Sequence, residues 1–306
     1  MPKQVFGPDY QFLHRSELLT YEEIARVAGI FVRLGIEKIR LTGGEPLVRR
    51  DLHELVARLA LIEGLHDLTL TTNGLLLKAQ AQRLKDAGLR RITISLDSLD
   101  DAVFRSMNDV GISASAILAG IEAAEGAGLR PIKINAVVKR GVNDQKIVDV
   151  ARHFKGTGHI VRFIEFMDVG ATNGWRMDDV VPATEIAARI NEELSIEPVE
   201  PNYRGEVARR WRYRDGSGEI GIISSVSQTF CRDCSRVRLS PEGELYTCLF
   251  GARGFDLRVL IRGGASDDEI CAAIGRLWEL RDDRYSEIRS ADTVRLTKVE
   301  MSHIGG

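Results

Sequence analysis

Lys38-Ile-Arg-Leu-Thr-Gly-Gly-Glu-Pro46 is a short apolar-polar strand that runs into a glycine turn and a proline exit, and the surrounding chain repeats the same pattern. Upstream, Thr20 opens a helix with Glu23 as the second half of a capping box. Ile24, Val27, Ala28, Phe31 and Leu34 then recur at helical spacing until Gly35 stops it. Downstream, strands are predicted at Leu68–Thr72, Arg91–Leu96, Ile132–Val138 and Val161–Phe166. They alternate with helices at Lys78–Ala87, Ser115–Ala127 and Asp144–Lys155. Repeated βα units joined by short connections mean a parallel sheet and favour a complete or partial barrel, with ligands bound where strands end.

From about Asp178 the pattern changes. A helix at Thr184–Leu194 leads into short alternating runs at Ile196–Glu200, Glu206–Tyr213, Glu219–Ser224, Val237–Ser240 and Leu245–Leu249. They read as a small antiparallel region. The division expected is therefore 1–177 for the barrel and 178–306 for a second domain, with Asp168–Gly174 and Arg214–Gly218 as flexible connections.

The chain has 306 residues, 44% hydrophobic and 28% charged, which is the composition of an ordinary globular protein. A formal net charge of -2 argues against bulk attraction to nucleic acid or anionic lipid, so any polyanion site must be local. The basic run Arg209-Arg210-Trp211-Arg212 reads as a solvated face. No stretch has the length and apolarity of a membrane span, and Met1–Tyr10 lacks a signal-peptide pattern, so a cytoplasmic location is expected.

Cation placement on the predicted strands is informative. Lys38 and Arg40 alternate on one strand, Lys133 and Asn135 on another, and Arg162 lies in the last. A purely structural barrel fills its interior with branched apolar side chains, so repeated polar groups there argue for a ligand cavity, and the cations for an anionic ligand. Gly43-Gly44-Glu45 could bring backbone and a carboxylate close to a ligand, or could be a tight βα turn with a helix-starting acid. Thr71-Thr72-Asn73-Gly74 and Ser95-Leu96-Asp97-Ser98 are polar clusters at strand ends that also suit turns and caps.

Three of the four cysteines fall together, Cys231, Cys234 and Cys248, as C-x2-C and a third across a hairpin. Structural zinc wants four protein ligands, and no fourth Cys or His is nearby. A [4Fe-4S] cluster can be held by three thiolates with one iron left open for a substrate. Arg232, Arg236 and Arg238 beside the thiolates suit an anionic substrate. Cys271, among Ile270, Ile274 and Leu277, reads as buried core. A phosphate-binding barrel carrying a zinc ribbon is the alternative from residues alone.

Lys38–Pro46, Leu70-Thr-Thr-Asn-Gly74, Ile94-Ser-Leu-Asp97, Arg162-Phe-Ile-Glu-Phe-Met167, the cysteine triad and the terminal Gly305-Gly306 together resemble the GTP 3',8-cyclases of the radical S-adenosylmethionine superfamily. The resemblance implies an α/β fold: an incomplete (βα)6 TIM-like barrel with a small C-terminal antiparallel cluster-binding domain. It implies S-adenosylmethionine contacts at Gly44, Ser95 and Met167, and GTP contacts at Arg40, Thr71, Lys133, Arg236, Val237 and Arg238. The triad would ligate a [4Fe-4S] cluster that holds guanine, and Gly305-Gly306 would reach back into the site. A homodimer is implied, as is a downstream cyclic pyranopterin monophosphate synthase in molybdenum cofactor biosynthesis. The family pattern also places C-x3-C-x2-C before the first helix, with Met-Pro after its last cysteine, whereas this chain begins Met1-Pro2. The expectation is that the motif and first barrel strand lie upstream of an internal start or a fragment boundary. The chain as written would then be inactive, or a non-catalytic GTP-binding relative.

Overall fold

The computed structural model describes residues 13–108, 111–170, 173–289 and 298–305. Met1–Tyr10 and Gly306 lie outside them. Strands β1 (Lys38–Leu41), β2 (Asp67–Thr72), β3 (Arg91–Ser95), β4 (Ile132–Val138) and β5 (Ile160–Glu165) pair in parallel, each with the next. Helices α1 (Tyr21–Arg33), α2 (Leu52–Ala60), α3 (Leu77–Asp86), α4 (Asp101–Asn108), α5 (Ala114–Gly126), α6 (Ile147–Phe154) and α7 (Ala183–Leu194) accompany them. The capping box read from Thr20 and Glu23 is formed, with Thr20 N–H donating to Glu23 Oε2 at 2.7 Å. Helices α2 and α4 were not among the sequence expectations. Leu52, Leu55, Val56 and Leu59 form the buried stripe of α2 at i, i+3, i+4, i+7 spacing.

The sheet does not stop at β5. Strand β8 (Glu219–Ile223) adds parallel to β5, and β7 (Arg209–Tyr213) and β6 (Ile196–Val199) follow antiparallel, in the order β1-β2-β3-β4-β5-β8-β7-β6. The sequence places 196–224 with the small antiparallel region, because alternation alone does not say which sheet a strand joins. The separate antiparallel sheet is only β11 (Phe255–Asp256), β10 (Glu244–Tyr246) and β9 (Arg238–Leu239). The run 209–212 lies on β7 as read: Arg212 pairs with Glu197 and Arg210 with Glu219.

Parallel register sorts the side chains. Leu70, Ile92, Ile94, Ile132, Ile134, Val161 and Ile220 are buried against the helices. Their neighbours in sequence point the other way, and register aligns Arg40 with Thr69 and Arg91, Thr71 with Thr93 and Lys133, and Ser95 with Asn135 and Arg162. One face of the sheet is thus a packed core, and the other is polar and cationic.

A second core lies on the outer side of α1. Val27, Ile30 and Phe31 pack with Leu245, Leu257, Ile261, Ile270 and Ile274, bringing α8 (Leu257–Arg262) and α9 (Asp267–Glu279) against the barrel. Cys271 is partly buried at its margin rather than central to it.

Candidate active site

On the polar face the cations crowd one another. Arg162 is buried, with Nε donating to Asn135 Oδ1 at 2.9 Å and Nη2 reaching Thr93 Oγ1 at 3.4 Å. Burial, then Arg40 and Arg91, brings it down to about 9. Arg40 is likewise lowered by burial, then by Arg91 and Arg236. Lys133 is brought down to about 8 by burial and by Arg162, Arg91 and Lys38. Gly221 leaves room for the arginine stem, since a Cβ there would stand 3.1 Å from Arg162 Cγ.

Among the described residues, Lys38 and Arg91 are the members of this group that hold a carboxylate in a salt bridge, both using Asp67 at the far end of the strands. Arg91 was missing from the sequence expectations. Its signal was available, because it occupies the first position of a strand whose alternate residues face inward. Thr71 Oγ1 is buried without a hydrogen-bond partner, as is Arg236 Nε. Buried donors and acceptors are ordinarily satisfied, and buried charge without a counter-charge is costly. With Arg40, Lys133 and Arg162 in no salt bridge among the described residues, and with orphan atoms on Thr71 and Arg236, this face suits an anion.

The strand ends above the well are cross-tied. Glu45 Oε1 accepts from Thr72 Oγ1 at 2.7 Å and from Leu47 N–H at 3.0 Å, and Oε2 accepts from Asn73 N–H at 2.7 Å. This carboxylate therefore fastens the first loop to the second. Gly44 is exposed beside it and Ser95 is half-buried at the end of β3. Met167 packs with Val137 and Phe230 against Ile164, Ala208 and Ile223. Asp97, behind Ser95, accepts from Val137 N–H at 2.8 Å and is pushed up to about 6 by burial. Gly44, Ser95 and Met167 all lie at the C-terminal ends of their strands, as expected.

The cysteines sit where the second sheet meets the well. Cys231 and Cys234 share a 3₁₀ turn, Cys231–Asp233, closed by Cys234 N–H to Cys231 O at 3.2 Å. Cys248 follows β10, which pairs Tyr246 with Arg238. Burial pushes the Cys234 thiol up, but Arg236 and Arg281 outweigh it and leave it lowered. Burial raises Cys248, which also feels Cys231. Arg238, brought down to about 10 by burial and Arg236, lies near both Cys234 and Cys248. Val237 turns its side chain to the second core, so a ligand contact there would use its backbone.

The donor set fits a [4Fe-4S] cluster: three thiols, two guanidinia against them, and an orphan Arg236 Nε on the well side. Among the described residues no group of three His, Cys, Asp or Glu is drawn together around a single-ion point. Cys271 lies at the margin of the second core, apart from the triad.

The tail closes the site. Arg238 Nε donates to Gly305 O at 3.2 Å, and Gly305 lies so close to Thr42 and Gly43 that a Cβ would collide with the Thr42 methyl. The tail thus joins the first loop to β9.

Residues 6–154 match the radical SAM superfamily and residues 159–287 match Molybdenum Cofactor Synthesis C. The GTP 3',8-cyclase of Acidothermus cellulolyticus is 53% identical over all of this chain and 91% of its own length. That of Staphylococcus aureus strain MRSA252 is 49% identical with the same coverage. A radical SAM methyltransferase from Sphaerobacter thermophilus superposes with a TM-score of 0.45 at 20% identity, over 57% of this chain and 54% of its own. Among the described residues no helix is long and apolar enough to cross a membrane. On its full-length identity to these cyclases, the chain belongs to the GTP 3',8-cyclase family of radical SAM enzymes of molybdenum cofactor biosynthesis.

Proposed function

We propose that the well binds GTP for conversion to (8S)-3',8-cyclo-7,8-dihydroguanosine 5'-triphosphate, with the triphosphate among Arg40, Lys133 and Arg162 and the base directed to the cysteine triad. The observation that carries this reading is the buried Arg162, held by an amide and a hydroxyl and by no carboxylate. Polyphosphate supplies the missing charge, and guanidinium forks suit its oxygens. Thr71, with its orphan hydroxyl, and Arg236, Val237 and Arg238 complete the nucleotide contacts.

Cys231, Cys234 and Cys248 would hold a [4Fe-4S] cluster, which would supply Lewis-acid binding of the base. Around it the chain's own residues do the positioning. Arg236 and Arg238 neutralise thiolate charge, and the tail carbonyl at Gly305 orients Arg238. Gly44, Ser95 and Met167 form the S-adenosylmethionine side of the cavity at the strand ends. The division into 1–177 and 178–306 then follows ligands, although the sheet itself crosses it. A cytoplasmic homodimer that hands its product to a cyclic pyranopterin monophosphate synthase is the setting this reading carries.

The test is anaerobic iron-sulfide reconstitution followed by GTP titration. About four irons per chain, lost in Cys248→Ser together with GTP affinity, are expected; zinc without iron would overturn the reading. The cysteine count favours a second reading, in which these residues alone bind GTP without the radical step. Formation of 5'-deoxyadenosine by the reconstituted chain would remove it.

A further inference from the structure

Asp168 stands directly after Met167 at the end of β5, in a stretch that composition marks as a flexible connection. It is instead among the most firmly held residues of the chain. Its carboxylate is 2% exposed and accepts from Arg289 Nε at 2.8 Å, from Lys298 Nζ at 2.8 Å and from the Tyr285 hydroxyl. Lys298 also donates to the Asp168 carbonyl at 2.9 Å. Burial pushes the carboxyl up, but Lys298, Tyr285 and Arg289 outweigh it and hold it below the usual range. Two cations from the C-terminal segment thus meet one barrel carboxylate, in an environment where losing a partner leaves uncompensated charge.

Lys298 begins the last described segment. Val299 N–H then bonds to Gly251 O at 3.2 Å, α10 (Met301–Ile304) follows, and Gly305 arrives against Gly43 and Arg238. Glu300 lies against Gly170, where a Cβ would collide with its carboxylate. The connection after β5 and the tail are therefore packed as a pair.

We propose that Asp168 is a positioning residue. Through Lys298 and Arg289 it latches the C-terminal segment to the end of β5, and so sets the Gly305 carbonyl on Arg238 and the tail on the Gly43 turn. The consequence for ligand binding rests on the reading of Arg238 as a nucleotide contact; the latch itself does not.

The test is hydrogen exchange on the full-length, cluster-reconstituted chain. Asp168→Asn keeps the shape and removes the charge. Lys298→Met, which leaves Asp168 with Arg289 and Tyr285, covers the case in which Asp168→Asn fails to fold. Both are expected to speed exchange at the amides of 299 and 303–305 by about tenfold or more while β5 amides keep their protection. Both should also weaken GTP binding about tenfold. Unchanged exchange in the tail overturns the latch. Faster exchange with unchanged GTP affinity overturns the positioning role. Arg238→Ala assayed alongside separates the claims: if it binds GTP normally, the nucleotide reading of Arg238 fails and the exchange data still decide the latch.

Discussion

Arg238 Nε donates to the carbonyl oxygen of Gly305 at 3.2 Å, joining the small antiparallel sheet to a tail that lies on the Thr42–Gly43 turn. A guanidinium tied at Nε has its two terminal nitrogens oriented by that bond, so the tail fixes which way Arg238 can offer its remaining donors. Three parts of the chain, 42–43, 238 and 305, are thereby made into one wall of the cavity.

Gly305 has φ 77° and no space for a side chain. Gly305→Ala is expected to displace the tail, with little change in Tm and roughly tenfold weaker GTP binding by calorimetric titration. Wild-type affinity in this variant would show that the tail is not part of the binding wall.

Lys133 sets stability against binding. Burial and three neighbouring cations disfavour its charged form, so Lys133→Met relieves repulsion. It is expected to raise Tm by roughly 2–4 °C, corresponding to about 1 kcal/mol after solvent screening. On the proposed binding mode the same change removes a phosphate contact and should weaken GTP binding about tenfold or more. Because Lys133 titrates near 8, GTP affinity of the parent chain should fall as pH rises through about 8. The Met variant should lack that limb; a parallel fall in both would assign it elsewhere.

His303 and Glu242 clip α10 to the turn before β10 at 2.5 Å. Donation from His303 Nε2 to the Glu242 carboxylate outweighs burial and raises His303 above its usual 6.5, and Glu242 is held below 4.5 by His303 despite burial. The histidine's contribution is full below its unfolded pKa and is lost as pH rises through the raised folded value. The carboxylate's is present above its unfolded pKa and is lost as pH falls through the lowered one. Tail protection against exchange should therefore be greatest between about pH 5 and 6.5 and decline on the alkaline side. His303→Gln should flatten that decline.

Asp97 behaves oppositely. Its folded carboxyl titrates near 6 against 3.8 unfolded, so ionisation costs stability, and the cost develops as pH rises from about 4 to 6. Asp97→Asn, which retains an acceptor for Val137 N–H, should raise Tm at pH 7.5 and leave it unchanged near pH 4. Equal Tm values at pH 7.5 would show that the carboxylate has a compensating partner.

Much of this was legible in the sequence. Period-two alternation placed Arg40, Lys133 and Arg162 on inward-facing strand positions, and the capping box at Thr20 and Glu23 formed as read. Arg91 stands at the first position of β3, in register with Thr69 and beside Arg40, and its alternation with Thr93 and Ser95 carries the same signal in the sequence. The sequence around Glu45 fits a ligand role and a turn role equally. The structure commits both its oxygens to Leu47, Thr72 and Asn73, and that answer depends on a loop 28 residues away.

The sequence by itself determined the parallel βα order, the cationic face and the cysteine triad, because those follow from local periodicity and from motif spacing along a connected chain. Only the tertiary structure decided that 196–223 extends the main sheet, that Asp168 is anchored and that Gly305 meets Arg238. Those outcomes depend on pairing between segments far apart in sequence. Which partner neutralises a buried charge is settled by what the fold brings within hydrogen-bond reach, and local pattern carries no record of that.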